Sequence, residues 1–226
     1  MIKAVFFYLG GLLVDHQFSS MCKYIANMFN VNPKDMEKVV AKHLESAQKG
    51  KITDEEMWIN ICRDLKIPVP KKPWKEIYWG AWDYGYKEFP EVIEIAKRIK
   101  KKGYKIGVIS NGEKEGGYER KTKTKKIDKL INMFDYLVAS YNHGVRAHEQ
   151  NGKLFKYAPK IAKLKPEEVL IILGKPKPNK PHISKVIGLE KEGNYYKFKN
   201  SKLRAICYEN VPKLVSDLKE IKVLIT

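Results

Sequence analysis

Cysteine is scarce in this chain, arginine is scarcer still relative to lysine, acid is outnumbered, and long apolar runs are missing. The three cysteines, Cys22, Cys62 and Cys207, lie far apart with no C-x-x-C spacing, which excludes a disulfide framework and a cysteine-based zinc site. The longest apolar run near the start, residues 4–14, is interrupted by Gly10 and Gly11 and closes on Asp15, short of the about 18 residues that a membrane span needs. It has the length of a signal-peptide core, yet no small-residue cleavage site follows. It therefore reads as a buried strand with its turn, no membrane association is expected, and the cytoplasm is the expected compartment. Disordered and fibrous classes are excluded by 43% hydrophobic and 11% aromatic residues.

The shortage of acid is local. Against 44 Lys and Arg stand 26 Asp and Glu, a net charge of +18. Residues 1–96 carry 13 basic and 13 acidic residues and residues 205–226 carry 3 of each, whereas 97–129 carry 13 against 4 and 171–204 carry 9 against 2. Such asymmetry fits a polyanionic partner. Of the basic residues 39 are Lys and 5 Arg, a composition that an AT-rich genome or a hot habitat also produces.

What the chain does have is periodicity. Residues 2–7 form a short apolar run stopped by Gly10-Gly11, as in a buried parallel strand entering a turn. From residue 17 to about 64 the apolar positions recur at three and four, first Met21, Tyr24, Ile25, Met28 and Phe29, then Val39, Val40, His43 and Leu44, which predicts helices. Thr53 with Glu56 predicts a capping box that opens a third helix. Trp74, Ile77, Tyr78, Ala81 and Trp82 have the spacing of one more apolar helix face, a reading favoured over a stacking platform for bases or sugars. Beyond Pro90 a helix over 91–102 and strands at 104–109, 134–139, 169–173, 204–208 and 222–225 are expected. This alternation predicts an α/β fold, a doubly wound, mainly parallel Rossmann-like sheet, with its core in 1–14 and 87–226 and an inserted α-helical cap over 15–86. Ligands of such sheets bind beyond the carboxyl ends of the strands, so the residues after Phe7, Ile109, Ala139 and Leu173 are expected to converge.

The first two of these tips read Phe6-Phe7-Tyr8-Leu9-Gly10-Gly11-Leu12-Leu13-Val14-Asp15 and Gly107-Val108-Ile109-Ser110-Asn111-Gly112. With the helical insert, the Ser140-Tyr141-Asn142-His143-Gly144-Val145-Arg146 stretch and the strand that follows Lys165-Pro166-Glu167-Glu168, they resemble the haloacid dehalogenase superfamily, in its phosphatase-like members with a helical cap. The resemblance implies a carboxylate nucleophile at the first tip and a hydroxyl or amide at the second that holds the phosphoryl group. It further implies a lysine from the third and acids at the fourth that bind magnesium. In this sequence the nucleophile's place is taken by Tyr8 and the place two residues on by Gly10. Ser110 keeps the phosphate-holding role with Asn111 and Gly112 beside it, Ala147 and His148 stand where the lysine would, and Leu173 and Gly174 stand where the acids would. A phenol with a pKa near 10 is un-ionised at neutral pH, and magnesium takes carboxylate oxygen. The expectation is a catalytically inactive pseudoenzyme with no metal site and no cofactor. A residual or re-invented hydrolase using Tyr8 or His148 is the rival. Lys153 and Lys156 read as solvent-facing rather than as substitutes for the missing lysine, and the five histidines show no metal-ligand spacing.

With Lys97, Arg98, Lys100, Lys101, Lys102 and Lys105 discounted as ordinary helix-end and strand-start residues, the excess charge singles out three segments: Arg120, Lys121, Lys123, Lys125 and Lys126 after the second tip, Lys175, Lys177 and Lys180 after the fourth, and Lys197, Lys199 and Lys202 in what reads as an inserted hairpin over 188–202. Lysines interleaved with Tyr195, Tyr196 and Phe198 suit single-stranded nucleic acid, with rings stacking on bases, and equally suit a surface hairpin whose aromatics pack inward. The expected function is polyanion binding, of RNA or single-stranded DNA, with all three segments on one edge of the sheet. A protein-interaction role for the cap's aromatics is the other alternative.

Overall fold

The computed structural model describes residues 1–16, 18–114, 126–175 and 183–223. At its centre is β1 (Ala4–Tyr8), flanked by β4 (Lys105–Ser110) and β6 (Val169–Leu173) in a seven-stranded sheet of order β5-β4-β1-β6-β9-β8-β7. The strands β5 (Tyr136–Ala139), β4, β1, β6 and β9 (Arg204–Cys207) run parallel, and β8 (Tyr195–Lys197) and β7 (Glu190–Glu192) extend the sheet antiparallel. A parallel central strand is covered on both faces, which is why β1 is apolar at every position. Its alternating side chains serve two cores. Val5 and Phe7 join the cluster under α5 (Pro90–Lys101) and α9 (Val211–Glu220), whereas Ala4 and Phe6 join the one that holds Leu154, Phe155 and Phe198. The Phe6 ring stacks on Tyr136 at 5.7 Å and lies so close over β4 that a Cβ on Gly107 would sit 2.2 Å from it.

A two-stranded antiparallel ribbon, β2 (Val14–His16) with β3 (Tyr86–Glu88), carries the chain out of this core and back. Between its strands stand α1 (Phe18–Phe29), α2 (Pro33–Gln48), α3 (Asp54–Leu65) and α4 (Trp74–Gly85), with a hydrophobic cluster of their own. Asn32 caps α2 with Pro33 behind it, and Thr53 and Glu56 form the full capping box of α3. The aromatic face of α4 packs inward, Trp74 against Trp58 at 6.1 Å and Tyr78 against Trp82 at 6.3 Å, so these rings are core rather than a stacking platform. Met28, given to the apolar face by spacing, is exposed.

The strand expected at 222–225 does not begin at 222. Lys222 takes a left-handed backbone (φ 60°), and Val223 donates its amide to Leu218 O at 2.9 Å while burying its side chain, which closes α9 in a helix-ending turn. Residues 224–226 lie outside the described residues. The hairpin over 188–202 is present as β7 and β8, with Phe198 buried against Phe155. Two short helices, α6 (Lys126–Asn132) and α7 (Tyr157–Ala162), complete the layers around β5, and a third, α8 (Ile183–Val186), precedes β7. No helix among the described residues is long and apolar enough to cross a membrane.

Gly107→Ala forces the Phe6 ring off its seat and is expected to destabilise the fold by about 1–3 kcal/mol. In urea unfolding the midpoint falls with an unchanged slope; an unchanged midpoint would show that the ring does not need this glycine.

Candidate functional site

Parallel strands deliver their carboxyl ends to one edge, and there Tyr8, Ser110 and Leu173 stand side by side on β1, β4 and β6. Tyr8 packs its ring on Phe155 at 5.8 Å, and its hydroxyl accepts a hydrogen bond from Asn111 Nδ2 at 3.3 Å. Burial pushes the phenol up to about 12, more than the nearby Arg146 charge draws it down. At neutral pH Tyr8 is therefore an un-ionised hydroxyl in an aromatic setting.

Asn111 joins three tips. Its Nδ2 reaches Tyr8, its backbone continues β4, and its Oδ1 accepts from Ala147 N at 2.8 Å in the loop after β5. Ser110 is buried, with its hydroxyl donating to Asn111 O at 3.2 Å. The Gly112 amide donates to Ser140 Oγ at 3.1 Å, and that hydroxyl donates to Gln48 O at the end of α2 at 2.6 Å. The polar groups expected to meet a phosphate thus carry hydrogen bonds within the protein.

The fourth tip is closed by backbone. Leu173 is fully buried, and Gly174 lies against the turn after β1 so tightly that a Cβ would stand 2.7 Å from Gly10 O and 2.9 Å from Gly11 C. Lys175 N donates to Gly11 O at 2.9 Å, fixing the two turns together. An acidic side chain at 174 would have to displace the backbone of this turn. Tyr8, Gly10, Leu173 and Gly174 offer no carboxylate, and among the described residues no three of His, Cys, Asp and Glu gather as a metal site. These residues do not fit the magnesium that the family resemblance implies.

The basic segments do not all share this edge. Lys175 stands exposed at the β6 tip, its ammonium 5.1 Å from the Tyr208 ring centre. Arg120, Lys121, Lys123, Lys125, Lys177 and Lys180 lie outside the described residues, and Lys126 is described only as the start of α6. Lys197, Lys199 and Lys202 are at the other end of the sheet, which corrects the expectation of one edge. Lys197 pairs in register with Arg204, and Arg204 with Leu170 near the start of β6. The cause is the antiparallel β8, whose end lies where the parallel strands begin. Lys197 and Lys202 there line an open cleft with Glu167, Glu190 and Asn200. Lys156 points its ammonium to Lys199 O at 3.4 Å and Lys153 is exposed, as expected, and His148 is exposed on its loop.

Spacing did not single out the seam between the helical unit and the core. Glu113, only 4% exposed, accepts from Tyr78 Oη at 2.7 Å and from Gln48 Nε2 at 3.2 Å. Burial pushes its carboxyl up, and the buried Asp54 adds to this. Outside it run ion pairs from Glu45 to Arg146 (3.1 Å) and from Lys49 to Glu45 (2.6 Å) and Glu149 (2.9 Å). The one signal in the sequence was an acid directly after the second tip.

Because the phenol is held neutral by the folded state, Tyr8 stabilises the protein fully below pH 10, and this contribution is lost as pH rises toward 12. Ultraviolet titration at about 295 nm is expected to show no difference between wild type and Tyr8→Phe up to about pH 11; a tyrosinate missing from the variant at or below pH 10 contradicts the burial argument.

No protein-family model matches the sequence, and no curated protein matches it. Solved structures do. A predicted HAD-like family hydrolase from Porphyromonas gingivalis superposes with a TM-score of 0.65 at 16% identity over 98% of each chain. A HAD family enzyme from Bacteroides thetaiotaomicron, solved as a magnesium complex, gives 0.62 at 16% identity over 92% of this chain and 93% of its own. A HAD phosphatase from Thermococcus onnurineus gives 0.56 at 14% identity over all of both chains. With β1 at the centre of a parallel sheet and a helical unit inserted after it, the chain has the fold of the haloacid dehalogenase superfamily.

Proposed function

We propose that this protein is a haloacid dehalogenase fold without phosphatase or dehalogenase chemistry, and that its basic strand-tip edge binds a polyanion, RNA or single-stranded DNA. The observation that carries the first half is Tyr8. It occupies the nucleophile's position as a neutral phenol, hydrogen-bonded to Asn111 and packed on Phe155. Covalent phosphoryl transfer by this fold uses an ionised carboxylate that forms a hydrolysable acyl phosphate, and a neutral phenol forms none. The backbone contact at Gly174 supports the same reading, because it leaves no room for a magnesium-binding acid. His148, the rival base, is exposed.

The second half rests on charge. Lys175 stands exposed at the β6 tip. Along the chain, Arg120, Lys121, Lys123, Lys125 and Lys126 follow the β4 tip, and Lys177 and Lys180 follow Lys175. The hairpin lysines Lys197, Lys199 and Lys202 drop out of this interface because they sit at the opposite end of the sheet. Burial of Tyr78 and the half-burial of Trp74 and Trp82 against the helical unit's own cluster leave an aromatic protein-docking face on the cap less supported.

With magnesium and an aryl phosphate, purified protein is expected to give no turnover above background; turnover that disappears in Tyr8→Phe overturns the inactive reading. For binding, Lys175, Lys177 and Lys180 are changed together to Gln, and separately Lys197, Lys199 and Lys202. A labelled single-stranded oligonucleotide is then titrated across a salt series. The first triple is expected to lower the salt slope by about 2, from three phosphate contacts, while the second leaves it unchanged. Equal losses in both would reduce the charge to a diffuse coat.

A further inference from the structure

Connections between parallel strands return the chain to the amino end of the sheet, so the carboxyl ends of α5 and α7 and the first residues of β1, β4, β6 and β9 share one face, opposite the tips. Contacts across that face agree. Lys3 pairs with Glu168 at 2.6 Å, Lys100 Nζ donates to Met133 O at 2.6 Å ahead of β5, and Tyr104 Oη, ahead of β4, donates to Lys222 O at 3.0 Å beyond α9. Lys101 and Lys222 reach the face from the helix layer of α5 and α9, Lys163 and Lys165 from the opposite layer of α7, and Lys202 from the sheet between them. All five are exposed, and no ion pair takes any of them among the described residues. They exceed what the helices need. A helix carboxyl end carries about half a negative charge, and Arg98 and Lys100 on α5, Lys160 on α7 and Lys219 on α9 already stand in the last turns. Of the acids at this end, Glu168 is held by Lys3, Asp135 by Lys100 at 3.5 Å and Lys105 at 3.7 Å, and Glu192 by Lys197 at 3.7 Å. Glu167, Glu190 and Glu220 offset part of the remaining positive charge, not all of it.

We infer that this amino-end face is an electrostatic contact for an anionic lipid surface, separate from the strand-tip edge and independent of the reading given for that edge. Its lysines spread in two dimensions, over the ends of five parallel strands, about 20 Å across, and over the helix layers on both sides of them. Such a spread matches a planar array of headgroups, whereas a single strand of nucleic acid follows a strip. The rings at this end, Tyr104, Phe134 and Phe198, are buried or half-buried and offer no free face to a base. No apolar span is involved, because each ammonium near an anionic bilayer raises partition roughly fivefold by attraction through water alone.

Co-sedimentation of the full chain with vesicles tests this. Binding is expected to vesicles of phosphatidylserine and phosphatidylcholine in equal parts, falling steeply with salt, and none to phosphatidylcholine alone. Lys101, Lys163, Lys165 and Lys222 changed together to Gln should lower partition roughly tenfold or more, while the Lys175, Lys177 and Lys180 triple stays within about twofold of wild type. The same quadruple variant keeps its affinity for a single-stranded oligonucleotide within about twofold. Should it fail to fold, Lys101→Gln with Lys165→Gln decides alone, through a loss of partition of about threefold or more. No binding to the mixed vesicles, equal loss in the tip triple, or a loss of oligonucleotide affinity as large as the loss of partition overturns the inference, the last because it gives the face to nucleic acid.

Discussion

The strand-tip edge of this protein depends on the hydrogen bonds of one amide side chain, Asn111, which ties the β1 tip at Tyr8 to the loop at Ala147 while extending β4 by its own backbone. In a parallel sheet the three elements meet only at their carboxyl ends, so a group at this junction either serves a ligand or serves the protein. Here its donor and its acceptor are both satisfied internally. The Tyr8 ring packs on Phe155 and through it on Phe198, half-buried against the edge of the core.

The neighbouring closures follow from the same economy of space. Gly174 is pressed on the turn at Gly10 and Gly11, and Lys175 N bonds Gly11 O, so the first and fourth tips are held together by backbone alone. Ser140 and Gln48 close the second and third tips from above. At the described edge stand Lys175 and Arg146, the latter paired with Glu45, and the buried acid Glu113 accepts from Tyr78 and Gln48.

Much of the fold was legible in the sequence because it rests on local chemistry. The β1 and β6 runs, the Thr53–Glu56 capping box and the inward face of α4 all follow from periodicity or from a single cap. Direction was not legible. Nothing local in residues 188–202 says that β8 runs against β9, and that one fact moves Lys197, Lys199 and Lys202 to the far end of the sheet. Nor could spacing show that Lys222 ends α9 in a left-handed turn. The Glu113 cluster joins residues 35 and 65 positions apart, which only the seating of the helical unit brings together.

The central claim is that Tyr8, Gly10, Leu173 and Gly174 supply no magnesium-binding carboxylate at the strand tips, and phosphate binding in the presence and absence of magnesium tests it most directly. Calorimetric titration of inorganic phosphate into the protein should give the same weak, salt-sensitive response whether or not magnesium is present. Phosphate binding strengthened about tenfold or more by magnesium would contradict the account, because it would require a metal held by ligands that Tyr8, Gly10, Leu173 and Gly174 do not supply.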